Sequence, residues 1–482
     1  MKLENILRST GIRVPEDLAE LDITSIHEDS RLVAPGTLFV AVRGFSTDGH
    51  LFIEQALGKG ASAVISEEAL EGDARILLNP GGDNRLILSA ISAEFYRKPW
   101  NELSVFGITG TNGKTSTARM LRWILEKNGM QTGLMGTVGH LVGGREVPAV
   151  MTTPGALEIA GLMRRMVEAG DRCCVMEVSS HALSLGRVES VKFDLTLFTN
   201  ITQDHLDYHR DMDDYLRCKK HLFDLRKTGG SAVVGTYSEG FPNVEGGVTF
   251  GLRECDDYRI EDVDTSLSGI SFRLVSKGFS LQARMQVPGK FNVFNAAGAL
   301  AAAVERGIEP GAAAGALEDF PGVPGRFQPV DLGQDFLVAV DYAHTPDALA
   351  RVLEQASQLT GNRVIAVFGA GGDRDRAKRP VMGRIAADLA DILIVTSDNP
   401  RTEDPNMIIS QIMNGIGPDD TGRVAVEPDR RAAIRTAVRM AESGDVVVIA
   451  GKGHEDYQII GLVKVHFDDR EEAAAALREV LE

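Results

Sequence analysis

The chain has 482 residues, of which 43% are hydrophobic and 25% charged, with 51 glycines and a net charge of −17. This length predicts about three domains, and the composition is typical of α/β enzymes. The negative charge argues against nonspecific binding of nucleic acids, and no apolar run is long enough to span a membrane. The four cysteines lack metal-ligand spacing, so we predict no disulfide framework. Because the first residues lack a signal-peptide core, we expect a cytoplasmic enzyme with small-molecule partners.

Alternating apolar and polar segments predict three α/β units, over residues 1–98, 99–325 and 326–482. Proline and glycine mark the two boundaries, at 98–101 and 321–325. The first two units are predicted to contain strands at 37–42, 61–65, 103–109, 173–178 and 195–198, a hairpin over 270–283, and an alanine-rich helix at 295–306.

The third unit alternates most regularly between strands and helical segments. Its predicted strands lie at 336–340, 364–368, 392–396 and 446–449. Each strand leads into a polar loop, which predicts a doubly wound parallel sheet. Ligands of such sheets bind at the carboxyl ends of the strands, so the residues that follow each strand are candidates for function.

Residues 107–116 read Gly-Ile-Thr-Gly-Thr-Asn-Gly-Lys-Thr-Ser, between a predicted strand and a helix at 116–128. Backbone N–H groups at the start of such a helix bind phosphate, Lys114 can reach the outer phosphates, and Thr115 can hold Mg²⁺. Ile108 stands where the usual phosphate-loop pattern has glycine. The alternative is a glycine-rich turn without a ligand.

Polar residues also follow two other strands of the second unit. Glu177 ends an apolar strand, and burying its carboxylate is costly unless it is paired, protonated or bound to a metal. Near a phosphate loop we favour a metal. The alternatives are that Glu177 and Ser179 cap the next helix, and that Asp204 and His205 belong to the start of another helix.

Eight motifs occur in a fixed order along the chain. They are Gly-Thr-Asn-Gly-Lys-Thr at 110–115, Thr-Thr-Pro at 152–154, Glu-Val-Ser-Ser-His-Ala-Leu at 177–183, Asp-His-Leu-Asp-Tyr-His at 204–209, Phe-Asn-Val at 291–293, Asp-Tyr-Ala-His-Thr-Pro at 341–346, Gly-Gly-Asp-Arg-Asp at 371–375 and Gly-Lys-Gly-His-Glu at 451–455. Each is weak alone, but the ordered set resembles the Mur ligases over essentially the whole chain.

The resemblance implies an N-terminal domain for a uridine nucleotide, a central ATPase domain and a C-terminal Rossmann-like domain. It also implies the branch that extends UDP-N-acetylmuramoyl-L-alanyl-D-glutamate. ATP would phosphorylate the free carboxylate of D-glutamate, which is otherwise a poor electrophile, and the amine of an incoming amino acid would attack the acyl phosphate. We expect ATP, Mg²⁺ at two sites and a monomeric enzyme.

The same resemblance assigns residues to the nucleotide and to the uridine substrate. For ATP it assigns Gly110, Thr111, Asn112, Gly113, Lys114, Thr115, Ser116, Asn292, Asn295, Asp341 and His344. For the uridine substrate it assigns Ser30, Phe45, Ser46, Thr47, Thr152, Thr153, Ser179 and Arg187. Leu185 replaces a glutamine that related enzymes often have, so a polar contact is missing there or supplied elsewhere.

For catalysis the resemblance implies Lys114, Glu177, His205, Lys219 and Arg326, with Mg²⁺ on Thr115, Glu177 and His205. It further implies that Lys219 is an N6-carboxylysine whose carbamate binds the second Mg²⁺. From the sequence alone, a solvated helix lysine is the ordinary interpretation of Lys219.

The segment Asp398-Asn-Pro-Arg401 bears on the incoming amino acid. A guanidinium can hold a carboxylate by two parallel hydrogen bonds, which favours meso-diaminopimelate over lysine. The resemblance implies a full set of Arg374, Asp398, Asn399, Pro400, Arg401, Gly451 and Glu455 for the amino acid. The alternatives are a surface arginine at 401, another amide ligase such as a folylpolyglutamate synthase, and a nucleotide switch that performs no ligation.

Overall fold

A computed structural model describes residues 1–44, 47–69, 73–206 and 208–482. Phe45 and Ser46, assigned above to the uridine substrate, lie outside the described residues. The chain divides into two compact units, one made of Met1–Tyr258 with Gly298–Glu309, the other of Arg259–Ala297 with Pro310–Glu482.

The first unit contains helices α1 (Leu3–Leu7), α2 (Glu16–Ala19), α3 (Ile53–Gly58), α4 (Asn84–Phe95), α5 (Lys114–Lys127), α6 (Ala156–Glu168), α7 (Ser180–Ser184) and α8 (Met212–Asp224). Its strands are β1 (Ser25–His27), β2 (Thr37–Val40), β3 (Ala63–Ser66), β4 (Ile76–Leu78), β5 (Ser104–Thr109), β6 (Thr132–Gly136), β7 (Gly139–Val142), β8 (Arg145–Val147), β9 (Cys173–Glu177), β10 (Phe193–Phe198), β11 (Arg226–Gly235) and β12 (Val248–Gly251).

These strands form two sheets. The smaller is parallel, in the order β1-β2-β3-β4. In the larger, the described strands of the unit run β12-β11-β10-β5-β9-β6-β7-β8, and all neighbours are parallel except β6-β7 and β7-β8. Strand β5 lies between β10 and β9, so the carboxyl ends of these three strands meet at one edge of the sheet.

Helix α5 follows β5 and packs against β6 and β9. Its apolar residues recur at helical spacing and are buried, as Met120, Leu121, Ile124 and Leu125 show. It begins at Lys114, two residues before the predicted start, because Gly113 at φ +82° takes the N-cap position. The phosphate-loop lysine is therefore the first residue of the helix.

The remaining helices and strands belong wholly or partly to the second unit. They are β13 (Tyr258–Ser266), β14 (Gly269–Ser276), β15 (Phe279–Met285), α9 (Lys290–Glu305), α10 (Pro310–Glu318), β16 (Gln328–Pro329), β17 (Leu337–Asp341), α11 (Pro346–Leu359), β18 (Val364–Phe368), α12 (Lys378–Leu389), β19 (Ile392–Val395), α13 (Pro405–Met413), β20 (Val424–Val426), α14 (Arg430–Met440), β21 (Val446–Ala450), β22 (Tyr457–Ile460), β23 (Val463–His466) and α15 (Asp469–Leu481). Strand β13 begins, and α9 ends, within the first unit.

The sheet of the second unit has the order β16-β17-β21-β18-β19-β20, parallel except for β16. Buried side chains of α11, α12 and α13 cover one face, and those of α14 and α15 cover the other. The predicted doubly wound sheet is thus confirmed. The predicted hairpin is the antiparallel pair β14-β15, and the alanine-rich helix begins five residues earlier than predicted.

Candidate functional site

The loop between β5 and α5 is held by the end of the neighbouring strand β10. The backbone N–H of Thr111 donates to the Asn200 carbonyl at 2.9 Å, and that of Asn112 donates to Asn200 Oδ1 at 3.0 Å. Gly110 has φ +142°, a conformation that side chains disfavour, and a Cβ there would overlap Thr199 Oγ1. The loop backbone is therefore fixed at the positive end of a helix, where anions bind.

The ammonium of Lys114 lies on this loop. Its Nζ donates to the carbonyls of Gly110 and Thr111, each at 2.9 Å. Thr115 Oγ1 points the other way and donates to Glu177 Oε2 at 2.8 Å. One turn of helix thus presents a cation and a hydroxyl–carboxylate pair beside the loop.

Glu177 is 1% exposed at the carboxyl end of β9 and is fully supplied with hydrogen-bond donors. Besides Thr115, the backbone N–H of Thr137 donates to Oε1 at 2.9 Å, and the Thr137 hydroxyl donates to Oε2 at 3.1 Å. The alternative that Glu177 caps the next helix is therefore wrong. Ser179 does cap α7, because its hydroxyl accepts from the Ala182 N–H. No sequence pattern indicated Thr137.

Lys219 on α8 is 1% exposed, so the interpretation as a solvated lysine is wrong. Its Nζ donates to the Gly110 carbonyl at 2.8 Å and lies 4.3 Å from the centre of the Tyr215 ring. Burial, reinforced by the nearby charge of Lys114, holds the pKa of Lys219 well below its usual range. Burial therefore favours the neutral amine, which is the nucleophilic form, more than it is favoured in a solvated lysine.

His205 lies between β10 and α8 in a left-handed conformation, with φ +53°. Helix α8 begins later, with Asp211 as its cap, so Asp204 and His205 do not start a helix. The His205 ring is 5.0 Å from that of His181 and 6.1 Å from that of Tyr215, the ring beside Lys219. Within the described residues, no group of three or more histidine, cysteine, aspartate and glutamate side chains is arranged to hold a metal.

Several residues predicted to bind the uridine substrate form one cluster around Thr153. The Thr153 hydroxyl donates to the Glu177 carbonyl at 2.9 Å and to Ser179 Oγ at 3.3 Å, and Arg187 donates to the Thr153 carbonyl at 2.9 Å. Thr152 shares a hydrogen bond with Thr137 at 3.0 Å. This cluster is continuous with Glu177.

Two further predicted residues lie in the N-terminal part of the first unit. Ser30 donates to Gln55 Oε1 at 2.9 Å, and the Thr47 carbonyl accepts from the Gly44 N–H at 2.9 Å. Among the described residues, the hydrogen bonds of Ser30 and Thr47 do not reach the Thr153 cluster.

In the second unit, Asp341 at the end of β17 is held by backbone donors. The N–H groups of Phe327 and Ala343 donate to its two oxygens at 2.7 and 2.8 Å. Burial raises the pKa of Asp341 against the opposing charge of Arg326. The Arg326 guanidinium lies 5.6 Å from the centre of the Tyr342 ring.

The predicted adenine residues are also in this unit. Asn292 Nδ2 donates to the Pro288 carbonyl at 2.8 Å, and Asn295 Nδ2 donates to Asn292 Oδ1 at 3.2 Å. Both side chains are buried at the start of α9.

A cavity of about 400 Å³ opens at the carboxyl ends of the strands in the second unit. Six of the seven residues predicted for the amino acid line it, and Pro400 does not. Its lining is Tyr342, His344, Thr345, Gly371, Arg374, Asp375, Lys378, Asp398, Asn399, Arg401, Gly451, Glu455 and Tyr457. His344, predicted for ATP, also lies here, whereas Lys378 and the two tyrosines were missed.

Arg401 is placed by its backbone rather than by an ion pair, so it is not a loose surface side chain. Its N–H donates to the Ile459 carbonyl at 3.0 Å, its own carbonyl accepts from Gly461, and its φ is +50°. One guanidinium nitrogen donates to the Gly372 carbonyl at 2.9 Å. The remaining donors are available to a carboxylate in the cavity.

Glu455 also lines the cavity and belongs to a hydrogen-bonded network. Its Oε2 accepts from Asn399 Nδ2 at 2.9 Å and lies 3.3 Å from the ammonium of Lys452. Asp398, 6% exposed, also lines the cavity. The cavity therefore presents guanidinium and carboxylate groups together, which suits a ligand that carries both carboxylates and ammonium groups.

A phosphate loop in one α/β unit and a cavity lined by guanidinium and carboxylate groups in another suit an ATP-dependent amide-forming enzyme, and the chain belongs to the Mur ligase family. Three family models match successive segments: the Mur ligase family catalytic domain at 22–96, the Mur ligase middle domain at 108–303 and the Mur ligase glutamate ligase domain at 325–453. The three-domain architecture is thereby confirmed, and with it an ATP-dependent ligase that uses Mg²⁺.

The similarity to particular proteins extends over the full length. The chain is 43% identical over 487 residues to a UDP-N-acetylmuramoyl-L-alanyl-D-glutamate--2,6-diaminopimelate ligase from Syntrophomonas wolfei, covering 99% of both chains. It is 42% identical to the ligase of the same name from Geobacillus kaustophilus, covering 95% of both.

The fold is also similar to those of solved structures. A ligase of that same name superposes with a TM-score of 0.73 at 34% identity, covering 100% of both chains. A folylpolyglutamate synthase from Mycobacterium tuberculosis has a TM-score of 0.59 at 18% identity and covers 82% of this chain and 95% of its own, which shows a shared fold only. Within the described residues, no helix combines the length and apolarity that a membrane crossing requires.

Proposed function

We propose that this chain joins meso-diaminopimelate to the D-glutamate carboxylate of UDP-N-acetylmuramoyl-L-alanyl-D-glutamate, through an acyl phosphate. The observation that carries the proposal is the cavity, where Arg374 and Arg401 stand with Asp398 and Glu455. Diaminopimelate bears two carboxylates and two ammonium groups, and lysine lacks one of the carboxylates. The names of the full-length relatives support the same substrate.

The phosphoryl step rests on the residues around the phosphate loop. Transfer to a carboxylate oxygen needs positioning and charge neutralisation more than covalent help. The loop N–H groups and Lys114 would hold the phosphates, with Arg326 as a further positive group. Transfer of the γ-phosphoryl group to the glutamate oxygen releases ADP and leaves phosphate as a good leaving group.

The residues of the first unit fit Mg²⁺. This ion prefers oxygen ligands, and Thr115 Oγ1 and the Glu177 carboxylate meet beside the phosphate loop. When bound, Mg²⁺ neutralises phosphate charge. We assign Thr115, Glu177 and His205 to Mg²⁺, with a second ion on a carbamate of Lys219. The neutral amine is the form of a lysine that adds CO₂, and burial shifts the pKa of Lys219 in the direction that favours this form.

The amide bond forms when the amine of the incoming amino acid attacks the acyl carbon. The carbon–oxygen bond to phosphate breaks, phosphate leaves, and the nitrogen loses its proton. Arg374 and Arg401 orient the carboxylates of the amino acid, and Glu455 with Asp398 meets an ammonium. The Thr152, Thr153, Ser179 and Arg187 cluster would hold the dipeptide end of the uridine substrate beside Glu177.

The three domains have proposed limits of 1–98, 99–325 and 326–482, which the segments matched by the family models support. We also infer that the enzyme acts as a monomer in the cytoplasm.

The experiment that tests the function measures phosphate release from ATP with the uridine dipeptide and meso-diaminopimelate, L-lysine or no amino acid. We expect turnover with diaminopimelate only, and a product whose mass is that of the tripeptide. Turnover with lysine alone would support the ligase activity but contradict the assignment of diaminopimelate as the amino acid. Turnover without any amino acid would favour a nucleotide switch, and activity only on folate substrates would favour the other amide ligase.

Replacing Arg401 by alanine is expected to raise the KM for diaminopimelate at least about tenfold, because a charge-assisted pair contributes about 1.5 kcal/mol or more. The measurement is initial rates with diaminopimelate varied and the other substrates saturating. Arg439→Ala removes an exposed arginine of the same unit that pairs with Glu479 and is the matched control. An unchanged KM in the Arg401 variant would overturn the assignment.

Replacing Lys219 by methionine is expected to reduce kcat about 100-fold or more, because the carbamate ligand is lost. Short carboxylic acids such as acetate should partly restore the rate by occupying its place. Carbon-13 bicarbonate NMR of the native protein should show a carbamate signal that the variant lacks. Lys220→Met changes the next lysine along the helix and serves as the control. A native protein without that signal would exclude the modification.

A further inference from the structure

Lys452 is a charged residue without exposed surface, in the segment between β21 and β22. A buried ammonium is costly unless it is paired and hydrogen-bonded. Its Nζ donates to the Tyr457 carbonyl, lies 3.3 Å from Glu455 Oε2, and lies 3.5 Å from Asn399 Oδ1. All three partners belong to residues that line the amino-acid cavity, whereas Lys452 itself does not line it.

These contacts divide the two oxygens of Glu455 between different tasks. Oε2 accepts from Asn399 Nδ2 and pairs with Lys452, while Oε1 has no hydrogen-bond partner within the described part of the chain. The Glu455 side chain is 18% exposed. Its free oxygen is thus the one left for a ligand in the cavity.

Asn399 is held by the same network. Its Oδ1 accepts from the Ile459 N–H at 2.9 Å and faces the Lys452 ammonium, while its Nδ2 donates to Glu455. The amide orientation of Asn399 is therefore set by donors on one side and an acceptor on the other. Loss of the ammonium would remove a charged group that contacts both side chains.

We propose that Lys452 is a positioning residue of the amino-acid site, which holds Glu455 and Asn399 in the orientation that receives the ammonium of the incoming amino acid. The inference rests on the proposed function. A free glutamate loses rotamer entropy when it binds a ligand, whereas one fixed in advance does not, so this anchoring raises affinity without any contact of its own.

The test is a double-substitution cycle on the full chain, using Lys452→Met and Glu455→Gln alone and together. Lys452→Met should raise the KM for diaminopimelate at least about tenfold, a change of about 1.4 kcal/mol, and leave the KM for ATP within about twofold. Because Lys452 acts through Glu455, the KM of the double variant for diaminopimelate should lie within about threefold of the KM of Glu455→Gln alone.

Lys464→Met is the matched control, since Lys464 lies 3.5 Å from the centre of the Tyr457 ring in the same hairpin but is exposed. It should leave the KM for the amino acid unchanged. Should Lys452→Met fail to fold, Lys452→Gln, which keeps a hydrogen-bond donor, takes its place in the cycle.

Additive effects of the two substitutions, an unchanged KM, or an equal rise in the KM values of all substrates would overturn the positioning role. Native enzyme that turns over another amino acid instead of diaminopimelate would overturn the proposed function alone. The cycle would then be run with that amino acid, and the same comparison would decide the role of Lys452.

Discussion

Lys114→Met is expected to lower kcat about 1,000-fold or more, the largest effect on activity that we predict. Lys114 is the cation of the phosphate loop, and charge that develops on the transferred phosphoryl group has to be neutralised within a fixed geometry. Methionine keeps much of the side-chain length and removes the charge. The measurement is single-turnover formation of ADP with ATP, Mg²⁺ and the uridine substrate.

The control for this substitution lies on the same helix. Lys127→Met removes a lysine of the last turn of α5, whose ammonium lies 4.9 Å from the centre of the Trp123 ring. It should leave kcat within about twofold of the native value, as surface changes usually have small effects. A Lys114 variant that retained a tenth of the native kcat would rule out the assigned role.

The largest expected effect on stability concerns Arg430 and Asp469, an ion pair with no exposed side-chain surface. Arg430 Nε and Nη2 donate to the two carboxylate oxygens at 2.7 and 2.6 Å. Arg430→Met or Asp469→Asn should each cost about 3–5 kcal/mol, because either change leaves a buried charge without its partner. Amide hydrogen exchange of 424–481, followed peptide by peptide, measures this loss.

Replacing both residues, as Arg430→Met with Asp469→Leu, should recover much of the stability, since no buried charge is then left alone. Exposed Arg439 and Glu479 offer a matched pair, for which Arg439→Met should cost less than about 1 kcal/mol. If Arg430→Met and Asp469→Asn lowered the free energy of unfolding no more than Arg439→Met does, the buried ion pair would contribute little to stability.

The ion pair also bears on the cavity. Arg430 donates to the carbonyls of Ser397 and Ala450, at 3.3 and 3.0 Å. These residues immediately precede Asp398 and Gly451, both of which line the cavity. The double apolar variant should therefore be stable yet bind the amino acid more weakly, which separates the two contributions of the pair.

Local patterns were sufficient to predict the fold and the loops that carry function. The glycines and the lysine between an apolar strand and a helix predict the phosphate loop. The alternation of strands and helices predicts which strand ends lie beside it. Arg401 and Glu455 could be predicted because they lie in short motifs after strands. Their geometry, with Arg401 in a left-handed conformation, could not.

Other residues were missed because their roles depend on distant partners. Thr137 supports Glu177 across 40 positions of the chain, and Arg430 meets Asp469 across 39. Lys452 lies in the Gly-Lys-Gly-His-Glu motif at 451–455, but the residue types of this motif do not indicate that the lysine is buried. The metal on Glu177 stays a prediction, and the sequence carried no sign of the hydrogen bonds that Thr115 and Thr137 donate to its carboxylate.

Lys114 and Lys219 both donate to a single acceptor, the carbonyl of Gly110. Any phosphate that draws Lys114 away must first replace the hydrogen bonds that the loop carbonyls of Gly110 and Thr111 provide. Under the proposed function, part of the interaction energy of the nucleotide is used in this exchange of hydrogen-bond partners, so we expect a lower ground-state affinity for ATP. Tight retention of ATP would work against turnover, and we expect the hydrogen bonds of Lys114 to the loop to limit that retention.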